Sequence, residues 1–192
     1  MHLMLDMETL GTHPATAPIL QIALVPFNLD EDGPLKNAND FQCFVSAQSN
    51  EGYPFRRRAN CDTIRWWAET NPALLAKIMD KEHGISLAKA LQRIVGYIQA
   101  IRNEGLTIDG IWAKGPTFDI SMIESAFEQA GIPVPWDFRD HRCVRTMEMI
   151  GGKGFDGGTK TARELSGELH DARVDCDKQI RLVQQVWQRK LV

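Results

Sequence analysis

The chain opens on an apolar run, Leu3 to Leu10, into which two carboxylates are set two positions apart, Asp6 and Glu8. On a strand, residues i and i+2 share a face, so both acids point at one spot near the strand's end. Ala17 to Phe27 (APILQIALVPF) follows as an apolar run rich in branched residues, and its length and flanks predict a buried strand. Asp30 to Gly33 with Pro34 is turn chemistry, and Phe41 to Val45 is predicted to return antiparallel as a third strand.

Beyond that meander the period changes to that of helices. Asp62 to Glu69 and Pro72 to Asp80 read as two short helices, with Asp62 and Asn71 at the N-cap positions. Trp66 and Trp67 are neighbours, so on a helix they cannot both face one core: one of them covers a crevice, meets a ligand or lies shielded on the surface. Ser86 to Arg102 is the clearest amphipathic helix, with Leu87, Leu91, Ile94, Val95, Ile98 and Ile101 on one stripe. Ile108 to Lys114 reads as a fourth strand, and Thr117 to Ala130 as a helix closed by Gly131. Cys143 to Met147 reads as a strand running into a helix. The final helix, Asp171 to Arg189, aligns Ala172, Cys176, Ile180, Val183 and Trp187. Three meandering strands followed by alternating helices and strands describe an α/β sheet of mixed direction.

Length and composition sharpen this. A chain of 192 residues with 43% hydrophobic and 24% charged content is expected to form one globular domain, 1–192. Nothing approaches a membrane-spanning run or a leader peptide, so a cytoplasmic protein with no membrane partner is expected. The four cysteines lie far apart without a C-x-x-C pair, so buried free thiols are expected rather than a zinc site or a disulfide framework. The net charge of −3 removes bulk electrostatics as a basis for binding nucleic acid. Any phosphate must be met locally, by metal ions or by clusters such as Arg56-Arg57-Arg58 and the run of Arg139, Arg142 and Arg145.

Three segments can supply acids to one site: Asp6 with Glu8, Asp119 at the start of a helix, and Asp175 in His170-Asp171-Ala172-Arg173-Val174-Asp175. Each also has a plainer reading. Asp6 and Glu8 suit a solvated strand end, Asp119 a first-turn acid on the helix dipole, Asp171 an N-cap, and His170 a loop histidine. Paired carboxylates held this close call for a hard cation such as Mg²⁺ or Mn²⁺. Gly152-Lys153-Gly154-Phe155-Asp156-Gly157 is formally a dinucleotide-binding G-x-G-x-x-G, but no apolar strand ends near its acid, Asp175, so a mobile loop that places Lys153 or Lys160 near the substrate strand, or a mere connector, fits better.

Taken together and in order, D-M-E in the first strand, F-D after W-x-x-G, and H-x-x-x-x-D at the last helix resemble the DEDDh 3′-5′ exonucleases. The opening D-M-E-T-L-G-T, Ile64-Arg65-Trp66-Trp67 and Val144-Arg145-Thr146 are similar to its compact phage and bacterial branch, which includes exonuclease VIII-like and exoribonuclease-like members. The resemblance runs from Leu3 to about Val183. It implies a ribonuclease H-like mixed sheet of five to six strands flanked by helices. It also implies a metal-dependent 3′-5′ exonuclease that releases nucleoside 5′-monophosphates from single-stranded or overhanging 3′ ends of DNA or RNA. Two divalent ions, Mg²⁺ or Mn²⁺, would be held by Asp6, Glu8, Asp119 and Asp175, with His170 as general base. The Met7 and Thr9 backbone with Leu10 and Phe118 would line the terminal nucleotide's pocket, Leu10 as a wedge. Lys114 departs from the amide common in the family and has either substrate phosphate or solvent as its partner. Related enzymes are often homodimers, and the paired tryptophans suit such an interface. The alternative from another class is a non-catalytic nucleic-acid- or protein-binding domain on the same fold.

Overall fold

The computed structural model describes residues 1–79, 84–152 and 170–190. The glycine-rich segment beyond Gly152, with Lys153 and Lys160, and Asp80 at the end of the second short helix lie outside the described residues.

Strand β1 (His2–Thr9) is the centre of the sheet. It pairs antiparallel with β2 (Ile19–Phe27) and parallel with β4 (Gly110–Ala113). Antiparallel β3 (Phe41–Phe44) lies outside β2, and parallel β5 (His141–Cys143) lies outside β4, giving the order β3-β2-β1-β4-β5. The mixture follows from the connections. Short loops join the first three strands, whereas the parallel strands are reached through helices, as parallel pairing requires.

Alternation along β1 assigns its side chains to two layers. Leu3, Leu5 and Met7 pack with Leu91, Ile94 and Ile98 of α3 (Leu87–Asn103) and with Ile120 and Ile123 of α4 (Asp119–Ala130). Met4 faces the opposite layer, with Val144 and Met147 of α5 (Val144–Gly151) and Cys176, Ile180 and Val183 of α6 (Ala172–Lys190). Asp6 and Glu8 follow Met4 in the alternation, so they face α6. A third cluster, Leu10, Leu20, Trp67, Leu74 and Ile78, sits beneath α1 (Cys61–Thr70) and α2 (Pro72–Met79) at the end of β1.

The structure corrects four sequence expectations. Asn60, not Asp62, caps α1: its side chain accepts from the Asp62 and Thr63 N–H groups at 2.8 and 3.2 Å. The Asn60 N–H is itself fixed to the Leu10 carbonyl at 2.7 Å, which starts the helix one residue earlier. Asn71 and Ser86 cap α2 and α3 as expected, accepting from the Leu74 and Lys89 N–H groups. On α6, Val186 is buried whereas Trp187 is exposed, because repeated steps of four outrun a period of 3.6. Cys61 is an exposed free thiol, and Cys43 and Cys176 are the buried ones.

The fourth correction concerns Arg57, which lies at 0% exposure. Its guanidinium donates to the Ala17 and Pro14 carbonyls at 2.8 and 3.2 Å, to Met122 O and Ser125 Oγ at 3.1 and 3.3 Å, and to Gln129 Oε1 at 3.2 Å. The five-donor fork ties the loop between β1 and β2 to α4 without any carboxylate. Burial lowers its pKa to about 10. Arg57 is therefore architecture, and only Arg56 and Arg58 of that run reach solvent. Among the described residues, no helix is long and apolar enough to cross a membrane.

Candidate active site

The pairing of β1 with β2 slips where the acids sit. Glu8 lies opposite Gln21 and Thr9 opposite Ile19, so β2 carries one extra residue, a bulge that bends the strand end. Gln21, fully buried, then builds the start of α6. Its Nε2 donates to Asp171 Oδ2 at 3.0 Å, and its Oε1 accepts from the Ala172 N–H at 3.2 Å. Asp171 Oδ1 accepts from the Arg173 and Val174 N–H groups at 3.0 and 3.2 Å, so Asp171 caps the helix. One turn further on, Asp175 faces Glu8. Glu8, His170 and Asp175 each offer a ligand atom, and these atoms all lie within 4.8 Å of one another.

Asp6 sits beside this group and accepts from Gln179 Nε2 at 2.7 Å. Asp119 arrives from the other layer, at the first turn of α4, where its own backbone and that of Met7 act on its carboxyl.

Burial, then repulsion from Asp119 and Asp175, holds the Asp6 carboxyl well above the usual carboxylate range. Burial followed by repulsion from Asp6 and Asp175 pushes Glu8 up to about 10. Burial likewise raises Asp119 to about 7, although its hydrogen bonds and the Arg145 guanidinium pull the other way. Among the described residues, Lys178 pairs with Asp175 at 2.7 Å and Arg145 acts on Asp119. Four carboxylates, three of them desolvated by burial, with an imidazole beside them form a donor set fit for a hard divalent ion.

Over residues 1–187 the chain matches the family described as the 3′-5′ exoribonuclease Rv2179c-like domain. The chain belongs to this family. It is a 3′-5′ exonuclease. Among solved structures it is similar to the nuclease domain of 3′hExo, a DEDDh family member bound to rAMP. That likeness has 12% identity and a TM-score of 0.59, and covers 97% of this chain and 91% of that one. It is also similar to an Exonuclease I from Methylocaldum szegediense, with 16% identity and a TM-score of 0.63, over 98% of this chain but 42% of that one. At these identities the likeness is one of fold. No curated protein matches the chain in sequence.

In this Rv2179c-like domain a cavity of about 550 Å³ opens beside the acids, lined by Met7, Glu8, Thr9, Phe118, Trp66 and Trp67 among others. Leu10 is not part of it. At 4% exposure it turns into the cluster with Leu20 and Trp67, because the Asn60 N–H and Pro18 carbonyl fix its backbone against α1 and the loop. Lys114 is half-exposed and paired with Glu148 at 2.7 Å. Of the second arginine group, Arg139 pairs with Asp137 and Arg142 donates to the carbonyls of Arg139, His141 and Asp109. Arg145, packed across Gly115, is the member that reaches the acids.

Sequence reasoning missed Gln21, Gln179 and Lys178. Lys178 and Gln179 had a signal, since they lie three and four residues after Asp175 on one helical face. Gln21 had none, being one polar residue in an apolar strand.

Proposed function

We propose that this exonuclease removes nucleoside 5′-monophosphates from single-stranded or overhanging 3′ ends, with RNA as its preferred polymer. The reading rests on one observation above the rest: acids from three distant segments and one imidazole converge beside an aromatic-lined cavity, in a chain whose family is described by exoribonuclease activity. Asp6, Glu8, Asp119 and Asp175 hold two divalent ions, Mg²⁺ or Mn²⁺. When bound, the ions supply charge stabilisation on the scissile phosphate. The terminal nucleotide occupies the cavity, its base between Phe118 and Trp66 and its sugar against the Met7 and Thr9 backbone. Arg145 meets a phosphate oxygen. His170 takes the proton from the attacking water.

The test is digestion of 3′-labelled and 5′-labelled RNA and DNA of one sequence with Mg²⁺, with Mn²⁺ and with EDTA, beside Asp6→Ala. Metal-dependent loss of 3′ mononucleotides, faster on RNA and absent in the variant, is the expected result. Turnover in EDTA, or wild-type turnover by the variant, overturns the ligand assignment. A preference for DNA overturns the polymer assignment alone.

A further inference from the structure

A general base works only if its ring is held at the proton it must take, and such a base is itself commonly oriented by a third group. Among the described residues, the ring contacts of His170 are two indoles. Trp66 lies 4.7 Å away, centroid to centroid, with ring planes at 75°, and Trp67 lies 6.0 Å away at 76°. The two indoles meet each other edge to face at 5.3 Å and 74°. These separations fall in the range of attractive aromatic pairs.

The cluster is tied to the strand that carries Glu8. Trp67, 1% exposed, donates its Nε1–H to the Thr9 carbonyl at 3.0 Å. Trp66 leans on this fixed ring, remains 43% exposed, and forms part of the wall of the nucleotide cavity. On the other side, His170 precedes the clamped Asp171 and holds a left-handed backbone, φ 66°, a conformation that residues with a Cβ adopt only where surroundings enforce it. The backbone therefore delivers the imidazole, and the indoles set its angle.

Building on the reading of His170 as general base, we propose that Trp66 is a positioning residue for that imidazole, linking the nucleotide cavity to the proton-accepting ring. Its aromatic ring, rather than any polar atom, performs this role.

The test is a double-mutant cycle on a 3′-labelled oligonucleotide, with Trp66→Ala, Trp66→Phe, His170→Ala and the double alanine variant. Thermal midpoints and Mn²⁺ affinity by calorimetry are measured alongside. Trp66→Ala is expected to lower kcat about 10- to 100-fold, the scale of a misplaced catalytic group, and to raise KM as well, because the same ring stacks on the terminal base. Trp66→Phe restores most of kcat. In the His170→Ala background, Trp66→Ala costs nothing further in kcat, because residues acting as a unit are not additive. Mn²⁺ affinity and thermal midpoint stay at wild-type values. Equal kcat losses from Trp66→Ala in both backgrounds overturn the inference while leaving the base assignment standing, as does a raised KM at unchanged kcat. A His170→Ala variant with near-wild-type kcat overturns the base assignment and the inference with it.

Discussion

Two arginines show how little the residue type alone says about its work. Arg57 sits in a tripeptide of arginines that looks like a phosphate patch, yet its five hydrogen bonds all end on uncharged groups of the protein. Arg57→Ala leaves the buried Ala17 carbonyl without its guanidinium donor and takes the side-chain donor from Met122, Ser125 and Gln129. At about 1–3 kcal/mol for each unsatisfied buried group, the thermal unfolding midpoint is expected to drop by several degrees, while Arg56→Ala and Arg58→Ala leave it unchanged. Equal effects from all three, measured by calorimetry, contradict that division of roles. Arg145 is the opposite case: exposed, close to Asp119, and free of any structural network among the described residues. Arg145→Ala is expected to raise KM and to reduce the slope of log affinity against log salt by about one, the signature of one lost phosphate contact, with stability intact. An unchanged salt slope removes Arg145 from the substrate path.

At the scale of elements, the start of α6 decides the site, because it hangs both His170 and Asp175 over β1. The Gln21–Asp171 clamp sets that position, so Asp171→Ala carries two penalties. Loss of the cap costs about 0.5–2 kcal/mol, and the Gln21 amide is left buried without its acceptor. Mn²⁺ affinity and kcat are both expected to fall, whereas Asp171→Asn, which still caps, retains most of the stability. A variant with lowered stability but unaltered metal affinity shows that the clamp supports the helix and not the site. This clamp also marks where sequence reading stopped. The strands and helices were legible because alternation, amphipathic stripes and caps such as Ser86 are local signals. The acids were legible because their spacing and order carry the chemistry. The Gln21–Asp171 contact joins residues 150 positions apart, and no local pattern announces such a pair. The turn of Leu10 away from the cavity and the reassignment of the α1 cap to Asn60 have the same cause. Both follow from the hydrogen bond between Asn60 N–H and the Leu10 carbonyl, made only when the chain closes on itself.

For the molecule as a whole, the acidic centre is a liability whose size pH sets. Glu8 and Asp119 have native pKa values raised above their unfolded ones, to about 10 and about 7, chiefly by burial. Between the unfolded and native values the folded protein holds more protons than the unfolded chain, so stability is greatest at low pH and is lost as pH rises through those values. His2 acts in the opposite sense. Burial lowers its pKa, so its share of stability is lost as pH falls and is constant above neutrality. In EDTA the thermal midpoint is therefore expected to fall from pH 7 to pH 9, where Glu8 and the similarly raised Asp6 act and His2 no longer contributes. Glu8→Gln removes the charge and should flatten that decline while abolishing turnover. Divalent ions act against the decline, because their ligands must be deprotonated and binding releases protons. The gap between midpoints with saturating Mn²⁺ and with EDTA should thus widen with pH. A concentration of 100 times Kd contributes about 2.7 kcal/mol. A gap that stays constant from pH 7 to pH 9, or a Glu8→Gln variant that declines as steeply as wild type, would place the ion away from these carboxylates.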